Sequence, residues 1–156
     1  MTEQVQIPWE EFPELSPTLE QMIPRILLFK KSHKKLIEGL EEVLERARNF
    51  SRKKIWSRAL EIEEKVFQDP SYFDWEIVRE GAKEGWLSFA VPKEVGGQGY
   101  LVAGMSLVME EMCSACAGIA NIFGAHALGF SAIALSLDME VIDRHLGKIV
   151  EEEKGK

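Results

Sequence analysis

A regular alternation of hydrophobic and polar residues begins near Lys34. From there to Phe67, apolar residues recur at spacings of three and four, with lysine, arginine and glutamate between them. The apolar positions are Leu36, Leu40, Val43, Leu44, Ala47, Phe50, Ile55, Ala59, Ile62 and Val66. This period is typical of an amphipathic helix. The helix should end near Asp69, because Pro70 disfavours helical geometry in the residue before it.

Shorter segments with the same period follow. Asp74 is a good N-cap for a helix from about 74 to 85, and Gly85 suits its C-terminus. A third amphipathic helix is predicted from Leu101, Met105, Val108, Met109 and Met112. Asp138 is expected to cap a last helix that holds Val141, Ile142, Leu146 and Ile149. The polar residues after it are expected to fray.

The longest uncharged stretch lies between Glu110 and Leu137. After its first two carboxylates it carries no charge until Asp138, and Ala, Gly, Ser and Cys dominate its middle. It is too long and too rich in small residues for one strand, so it predicts a helix that is either deeply buried or lines a binding surface. Asn121 and His126 interrupt it, and burying either side chain requires a hydrogen-bond partner.

The first thirty or so residues have a different character. Four prolines exclude a long helix there, and the apolar residues lie among acidic ones. Ser16, followed by Pro17 at the first helical position, predicts a short helix up to Phe29. The segment is either an arm that docks on another surface or an extension packed on its own domain. We therefore predict an extension at 1–33, a helical domain at 34–150 and a polar tail at 151–156.

Composition and charge narrow the class of protein. A chain of 156 residues is large enough for one domain with its own core, and 46% hydrophobic and 29% charged residues are ordinary for a globular protein. The net charge of −7 argues against nucleic-acid binding. Two cysteines form no disulfide framework, and the acidic N-terminus does not resemble a signal peptide, so we expect a cytoplasmic protein.

The uncharged stretch 115–137 also has the length of a membrane-spanning helix. However, Asn121 and His126 lie near its centre, acidic residues flank both ends, and no Lys/Arg asymmetry defines an orientation. The sequence therefore favours a buried helix and predicts no membrane span.

Cysteine and histidine residues offer candidate chemistry with simpler structural interpretations. Cys113 and Cys116 form a CxxC pair, but neither a thioredoxin-like context nor a second ligand pair accompanies them. His126 and His145 are too few and too far apart to complete a tetrahedral metal site. We therefore expect His126 to be a hydrogen-bonded helix histidine and predict no metal site.

Glu110 and Glu111 are adjacent carboxylates of the kind that acid–base catalysis uses in pairs. Adjacent residues of a helix point about 100° apart, so these two do not share one site. We expect a structural ion pair from at least one of them and predict no catalytic residue in this chain.

The loop at 92–99 contains Gly96, Gly97 and Gly99. A phosphate-binding loop normally follows a strand and adds a Lys-Ser/Thr pair or the full six-residue glycine spacing, and neither is present here. The glycines therefore favour a turn with positive φ angles over a phosphate site.

The order of these parts resembles the N-terminal helical domain of flavin-dependent acyl-CoA dehydrogenases, over about Leu36 to Gly155. The most specific piece is VPKEVGGQG at 91–99, which looks like the family's Pro-Glu-Glu-Tyr-Gly-Gly-x-Gly turn with Val95 in place of the aromatic residue. Supporting pieces are Phe50-Ser51-Arg52 with Ile55, Trp75-Glu76-Ile77-Val78-Arg79, Glu110-Glu111 and the small-residue helix from Cys116 to Leu128. Ser57 departs from the family, where a helix-interrupting proline is common. The resemblance implies an all-α, orthogonal helical bundle preceded by a proline-containing extension.

The resemblance also implies a function in the α,β-dehydrogenation of an acyl-CoA thioester. In the family, FAD accepts a hydride, a carboxylate takes the α proton, and the N-terminal helical domain closes one side of the acyl pocket. A middle β domain and a C-terminal bundle hold most of the FAD, the CoA arm and the base, and we expect this chain to lack them. We therefore expect a companion flavin-binding dehydrogenase polypeptide, an acyl-CoA substrate and an oligomeric assembly. The alternative is a non-catalytic helical module that binds a protein or a small apolar ligand.

By the same resemblance, Ala120, Asn121, Gly124 and Leu128 are the positions that face the acyl chain. Their spacing of i, i+1, i+4 and i+8 places them on one helical face. Gly124 stands where some relatives carry a larger side chain, which favours a deeper pocket. Plain helix packing is the alternative for all four residues, because small residues also pack helices.

Overall fold

A computed structural model of the protein describes residues 7–100 and 102–155. Within this part the chain is all-α and contains no strand, as predicted. Its α-helices are α1 (Leu19–Met22), α2 (Lys34–Phe50), α3 (Ala59–Gln68), α4 (Trp75–Lys83), α5 (Val102–Ala115), α6 (Ala117–Ala134), α7 (Met139–Ile142) and α8 (Lys148–Glu153). Leu101, predicted on the inner face of the third amphipathic helix, lies outside the described residues.

The core lies where α2 packs along α5 and α5 packs along α6. Aromatic rings fill its centre: Phe50 contacts Trp86 and Phe123, with ring centroids 5.9 and 5.8 Å apart. Trp86 and Phe89 come from the irregular segment after α4, and both are fully buried. The apolar segment 86–91 is therefore a buried connection that closes the core from one side.

The helix predicted over 34–67 is interrupted. A π-helical turn (Ser51–Ile55) and a 3-10 turn (Trp56–Arg58) separate α2 from α3. Phe50 and Ile55 are five residues apart, and both are at most 1% exposed. A regular α-helix would point these side chains about 140° apart, whereas the wider π turn brings them onto one face. Packing in the core therefore overrides the regular helical period.

The two ends of this predicted helix are less buried than the pattern indicates. Leu36 and Val66 were expected on the inner face, but they are 59% and 41% exposed. Helix α3 has no buried residue, and Ile62 packs only partly against the core. A periodic sequence predicts which face a helix would bury, but a neighbouring element must be present to bury it.

The central stretch, predicted as one helix, is two helices that meet at Cys116. Cys116 has extended backbone angles (φ −163°, ψ 111°). In the last turn of α5, the carbonyl of Glu111 accepts hydrogen bonds from the hydroxyls of Ser114 and Ser51, at 2.7 and 2.6 Å. Such hydroxyl bonds compete with the helical backbone pattern. Helix α6 then begins with the carbonyl of Cys116, which accepts the amide of Ala120 at 2.9 Å.

Both predicted aspartate caps are confirmed. The Oδ1 atoms of Asp74 and Asp138 accept hydrogen bonds from the second and third amides of α4 and α7, at 2.9 to 3.3 Å. Gly85 follows α4 with φ +84°, as expected for a glycine that ends a helix. The predicted last helix is divided by a π-helical turn at Asp143–Gly147.

The polar tail is more ordered than predicted. Residues 151–153 complete α8, and the carboxylate of Glu153 accepts hydrogen bonds from the amides of Leu87 and Ser88, at 2.9 and 3.2 Å, and from the Ser88 hydroxyl. Lys154 Nζ donates to the carbonyl of Gly96 at 2.9 Å. The sequence did not reveal these contacts, because the partners of both charged groups lie more than fifty residues away in the chain.

The described part of the N-terminal extension, residues 7–33, packs on its own domain. Leu19 and Ile26 are 3% and 9% exposed and belong to a second apolar cluster with side chains of α2 and α5. The Trp9 ring stands edge-on to Trp56, with centroids 5.6 Å apart, and lies 4.4 Å from the guanidinium carbon of Arg52. Of the two interpretations of this segment, the structure supports the locally packed extension.

The short helix predicted from Ser16 begins later and ends earlier. Thr18 caps α1 through a reciprocal pair of hydrogen bonds with Gln21. Pro24 then starts a 3-10 turn, Pro24–Phe29. Because proline has no amide hydrogen and its ring clashes with the preceding turn, an α-helix does not continue across it.

Candidate functional site

Helix α6 has one face in the core. Its buried residues are Ile119, Ala120, Phe123, Ala127 and Phe130. These spacings of one, three and four follow one side of a helix. The buried face holds α6 firmly against α5 and the core aromatic rings, so the opposite face is presented in a defined orientation.

That opposite face is exposed and carries no charge. We call it the outer stripe: Asn121, Ala125, Leu128, Ala132 and Leu135, all of which are exposed. Leu128 and Leu135 expose 70% and 78% of their surface. In a chain with 29% charged residues, an uncharged, largely apolar face of about four helical turns is typical of an interaction site.

The structure separates the four residues predicted to face an acyl chain. Asn121 and Leu128 lie on the outer stripe, whereas Ala120 is fully buried in the core. Gly124 is half-buried between them, and a Cβ atom added to it would lie 2.7 Å from Cε of Met109. Met109 of α5 therefore fills the space that the glycine leaves. The sequence placed Met109 on a helix face but did not reveal its contact with Gly124, because that contact depends on how α5 and α6 pack.

A buried ion pair fixes α5 beneath this site. Arg48 donates through Nε and Nη2 to Oε1 of Glu111, at 3.1 and 2.5 Å, and both side chains are less than one-tenth exposed. Arg48 Nη2 also donates to the carbonyl of Pro17 at 2.8 Å. The ion pair expected from the glutamate pair is thus confirmed for Glu111, while Glu110 is exposed. A carboxylate engaged in this way is structural.

His126 lies beside the outer stripe and is half-buried. Its ring stands edge-on to Phe130, with centroids 5.3 Å apart. Burial lowers its pKa from the ordinary value, while a hydrogen bond with the backbone of Leu87 and the charge of Glu153 oppose this shift. Its Nε2 atom is buried without a hydrogen-bond partner.

The glycine-containing loop is a closed turn. The amides of Gly96, Gly97, Gln98 and Gly99 all donate to backbone carbonyls within 88–93, at 2.8 to 3.3 Å. Gly96 and Gly99 have φ angles of +88° and +69°, as the sequence predicted. Because these amides are already engaged, the loop does not present them to a phosphate group.

The described residues do not form a flavin cradle by themselves. The amides of the glycine turn are engaged, and Asn121 is the one hydrogen-bonding side chain of the outer stripe. Among residues 7–100 and 102–155, no group of three or more His, Cys, Asp or Glu side chains is placed to hold a metal ion. Cys113 and Cys116 are free thiols. The site therefore offers a binding surface rather than a set of reactive groups.

By length and composition alone, helix α6 also resembles a membrane-spanning helix. Among the helices described, it is the one long and apolar enough to cross a bilayer, with a mean hydropathy of 1.4 and 28% of its residues buried. A core helix with a second apolar face has the same properties.

Comparison with known families agrees with this order of helices. Residues 38–153 match the family model described as "Acyl-CoA dehydrogenase, N-terminal domain". The match runs from within α2 to the end of α8 and leaves out the N-terminal extension. No solved structure matches the chain. By this match over most of its length, the chain belongs to the family of acyl-CoA dehydrogenase N-terminal domains.

Proposed function

We propose that this chain is the N-terminal helical part of a flavin-dependent acyl-CoA dehydrogenase. It closes the acyl pocket for α,β-dehydrogenation of an acyl-CoA thioester, once combined with an FAD-binding companion polypeptide that carries the catalytic base. The family match supports the general class. The observation that carries the proposal is the outer stripe of α6, because an uncharged exposed face on a rigidly held helix is suited to form one wall of an apolar groove.

Each residue of the stripe has a role in this arrangement. Leu128, 70% exposed, supplies apolar surface for an acyl chain or for the companion. Asn121 supplies the amide that would orient a polar group of the substrate or the companion. Ala125 and Ala132 are small and let the neighbouring groups come close. Ala120, which the structure places in the core, supports the wall from behind.

In the assembled enzyme the FAD would supply the oxidising chemistry, and this chain would shape the pocket and exclude water. Burying the outer stripe would remove apolar surface from water, at roughly 25 cal/mol per Å². The same burial would stabilise the assembly. We therefore place acyl binding and assembly on one surface, and we keep a cytoplasmic location as part of the proposal.

Co-expression with a flavin-binding acyl-CoA dehydrogenase polypeptide that lacks its own N-terminal helical domain tests this proposal. We expect a yellow complex whose flavin absorbance falls when an acyl-CoA thioester is added. Leu128→Asp places a charge on the stripe without disturbing the core, and it should abolish both co-purification and flavin reduction. Leu60→Asp is the matched control, because Leu60 on α3 is similarly exposed, at 65%, and lies on another helix.

Two results would contradict the proposal. One is a complex whose flavin responds equally with the wild-type chain and with Leu128→Asp. The other is the absence of any complex, combined with binding of apolar ligands by the chain alone. The second result would favour the alternative of a non-catalytic binding module.

The length of acyl chain accepted would depend on Met109 more than on Gly124. The Met109 side chain occupies the space beside the glycine, so Met109→Ala should open the groove there. We expect the reconstituted enzyme with Met109→Ala to shift its preference toward longer acyl-CoA thioesters. An unchanged chain-length profile in the variant would show that this part of α6 does not face the acyl group.

A further inference from the structure

Residues 21–37 differ in charge from the rest of the chain. They include Arg25, Lys30, Lys31, Lys34 and Lys35 and contain no Asp or Glu. The whole chain has 19 basic and 26 acidic residues, so the remainder holds 14 basic and 26 acidic residues, a net charge of −12 against +5 for this segment. An acidic protein thus carries a segment of 17 residues with a net charge of +5.

Exposed apolar side chains stand in the same segment. Leu27, Leu28 and Phe29 are consecutive in the 3-10 turn Pro24–Phe29, and they are 51%, 78% and 52% exposed. Successive residues of a 3-10 helix point about 120° apart. Because all three are exposed, this end of the turn protrudes from the surface. We call the turn and its cations the basic knuckle: Arg25, Leu27, Leu28, Phe29, Lys31 and Lys35.

The basic knuckle is held in place by the domain beneath it. Ile26 is 9% exposed and packs with side chains of α2 in the second apolar cluster. Lys30 Nζ lies 2.7 Å from a carboxylate oxygen of Glu20. On the other side, the His33 ring stands edge-on to Phe29, with centroids 5.8 Å apart. The exposed side chains therefore need little reorganisation before they bind.

Most of the cations are free to meet an external anion. Lys30 and Lys34 pair with the acidic residues that flank the segment. Arg25, Lys31 and Lys35 form no ion pair with any residue that the structure describes, and all three are exposed. Long lysine side chains can hold their charge at headgroup level while neighbouring apolar residues go deeper.

We propose that the basic knuckle docks this protein on an anionic lipid surface. Leu27, Leu28 and Phe29 insert at the boundary between headgroups and acyl chains, and Lys31 and Lys35 reach lipid phosphates. The acidic remainder of the chain is repelled by the same surface, which selects one orientation. Exposed apolar side chains at three consecutive positions suit a fluid medium better than a fixed protein pocket. A nucleic acid would leave the three apolar side chains unused.

Co-sedimentation of the full chain with lipid vesicles tests this proposal, and it requires neither a flavin partner nor enzyme activity. We expect binding to vesicles of phosphatidylcholine mixed with phosphatidylglycerol and no binding to phosphatidylcholine alone. Raising the ionic strength from about 0.1 M to about 0.5 M should weaken the binding, because salt screens the lysines. Soluble glycerol phosphate should not compete, since it offers no apolar layer.

Substitutions separate the contribution of the lysine charges to vesicle binding from that of the inserted apolar side chains. Lys31→Gln/Lys35→Gln should lower the vesicle partition coefficient about thirtyfold, and Leu28→Ser about tenfold. Both changes are on exposed side chains, and circular dichroism should show unchanged helix content. Lys83→Gln/Lys148→Gln and Leu60→Ser alter the same residue types at exposed positions elsewhere, and they should leave binding unchanged.

Several outcomes would overturn the proposal. Equal binding to neutral and anionic vesicles would remove the role of the lysines. Anionic binding that Leu28→Ser leaves intact would indicate a polyanion site without insertion. In a third outcome, the chain self-associates without binding vesicles, and Lys31→Gln/Lys35→Gln abolishes the self-association. That result would show that the basic knuckle binds the acidic face of a second copy.

Discussion

Arg48 and Glu111 form a buried ion pair that ties α2 to α5, with Nη2 and Oε1 2.5 Å apart. The arginine also reaches the extension through the carbonyl of Pro17, and the backbone carbonyl of Glu111 accepts the hydroxyl of Ser51. One charge pair thus joins three parts of the chain. Because the pair holds α5 against α2, and α5 in turn packs along α6, it supports the proposed binding surface through the core.

Removing one partner of this pair should be strongly destabilising. Glu111→Gln removes the buried counter-ion of Arg48 and leaves the cation only the exposed Glu45 carboxylate, 3.6 Å away. We expect a loss of about 3–5 kcal/mol in the free energy of unfolding, measured with urea. Glu45→Gln is the control, because Glu45 is the exposed partner of Arg48, and its change should stay within about 0.5 kcal/mol. A loss of similar size in both variants would show that the buried pair has no special role.

His126 should make stability depend on pH. Burial lowers its pKa below the ordinary 6.5, so the unfolded chain binds a proton first as the pH falls. The contribution to stability is fully present above pH 6.5 and is lost as the pH falls through the lowered pKa of the folded state. We expect His126→Gln to reduce the pH dependence of the urea midpoint across this window. His145→Gln, at an exposed position, should keep the pH dependence of the wild type. A slope retained in His126→Gln would assign the effect to another group.

Gly97 should not tolerate a side chain. A Cβ atom there would lie 2.2 Å from the carbonyl oxygen of Val91, and a backbone atom inside a closed turn moves only at a cost. Gly97→Ala should lower the free energy of unfolding by about 1–3 kcal/mol. Gly39→Ala is the matched control, because nothing lies within 4 Å of its added Cβ in α2, and it should raise stability by about 0.5–1 kcal/mol. The same sign in both variants would contradict the packing of this turn.

Leu137 offers a stabilising substitution. It is the one non-glycine residue with positive φ among those described, at +56°, and it is 83% exposed. Leu137→Gly relieves the left-handed strain without loss of packing and should raise the unfolding free energy by about 0.5–1 kcal/mol. Leu135→Gly, at an exposed residue with helical angles, should lower it by a similar amount. Thermal unfolding followed by circular dichroism would detect the opposite changes in stability of the two variants.

Local chemistry made much of the fold predictable. Asp74 and Asp138 cap their helices through their own following amides, and Gly85 ends α4 through its own backbone freedom. Such features depend on a few consecutive residues, so they can be derived from a single sequence. The glycine turn was equally accessible, because positive φ angles and tight turns have few solutions.

The candidate site was predictable only in part. The sequence indicated an uncharged helix that is buried or lines a surface, and α6 does both on opposite faces. The family resemblance placed Ala120 with Asn121 and Leu128 on one helical face, but neither it nor the spacing tells which side of the helix meets the core, where Ala120 lies. The sequence also missed Met109 beside Gly124 and the contact of Glu153 with Ser88, since each joins segments far apart in the chain.

The sequence by itself determined that this protein is helical, where α2, α4 and α7 begin and which positions along the helices are apolar, because periodicity, caps and glycines act over a few residues. Only the tertiary structure decided which apolar face is buried, where α2 and α5 are interrupted, and which surfaces stay open. Those outcomes depend on contacts between distant segments: the core pulls Phe50 and Ile55 onto one face, and it leaves Leu128 facing outward.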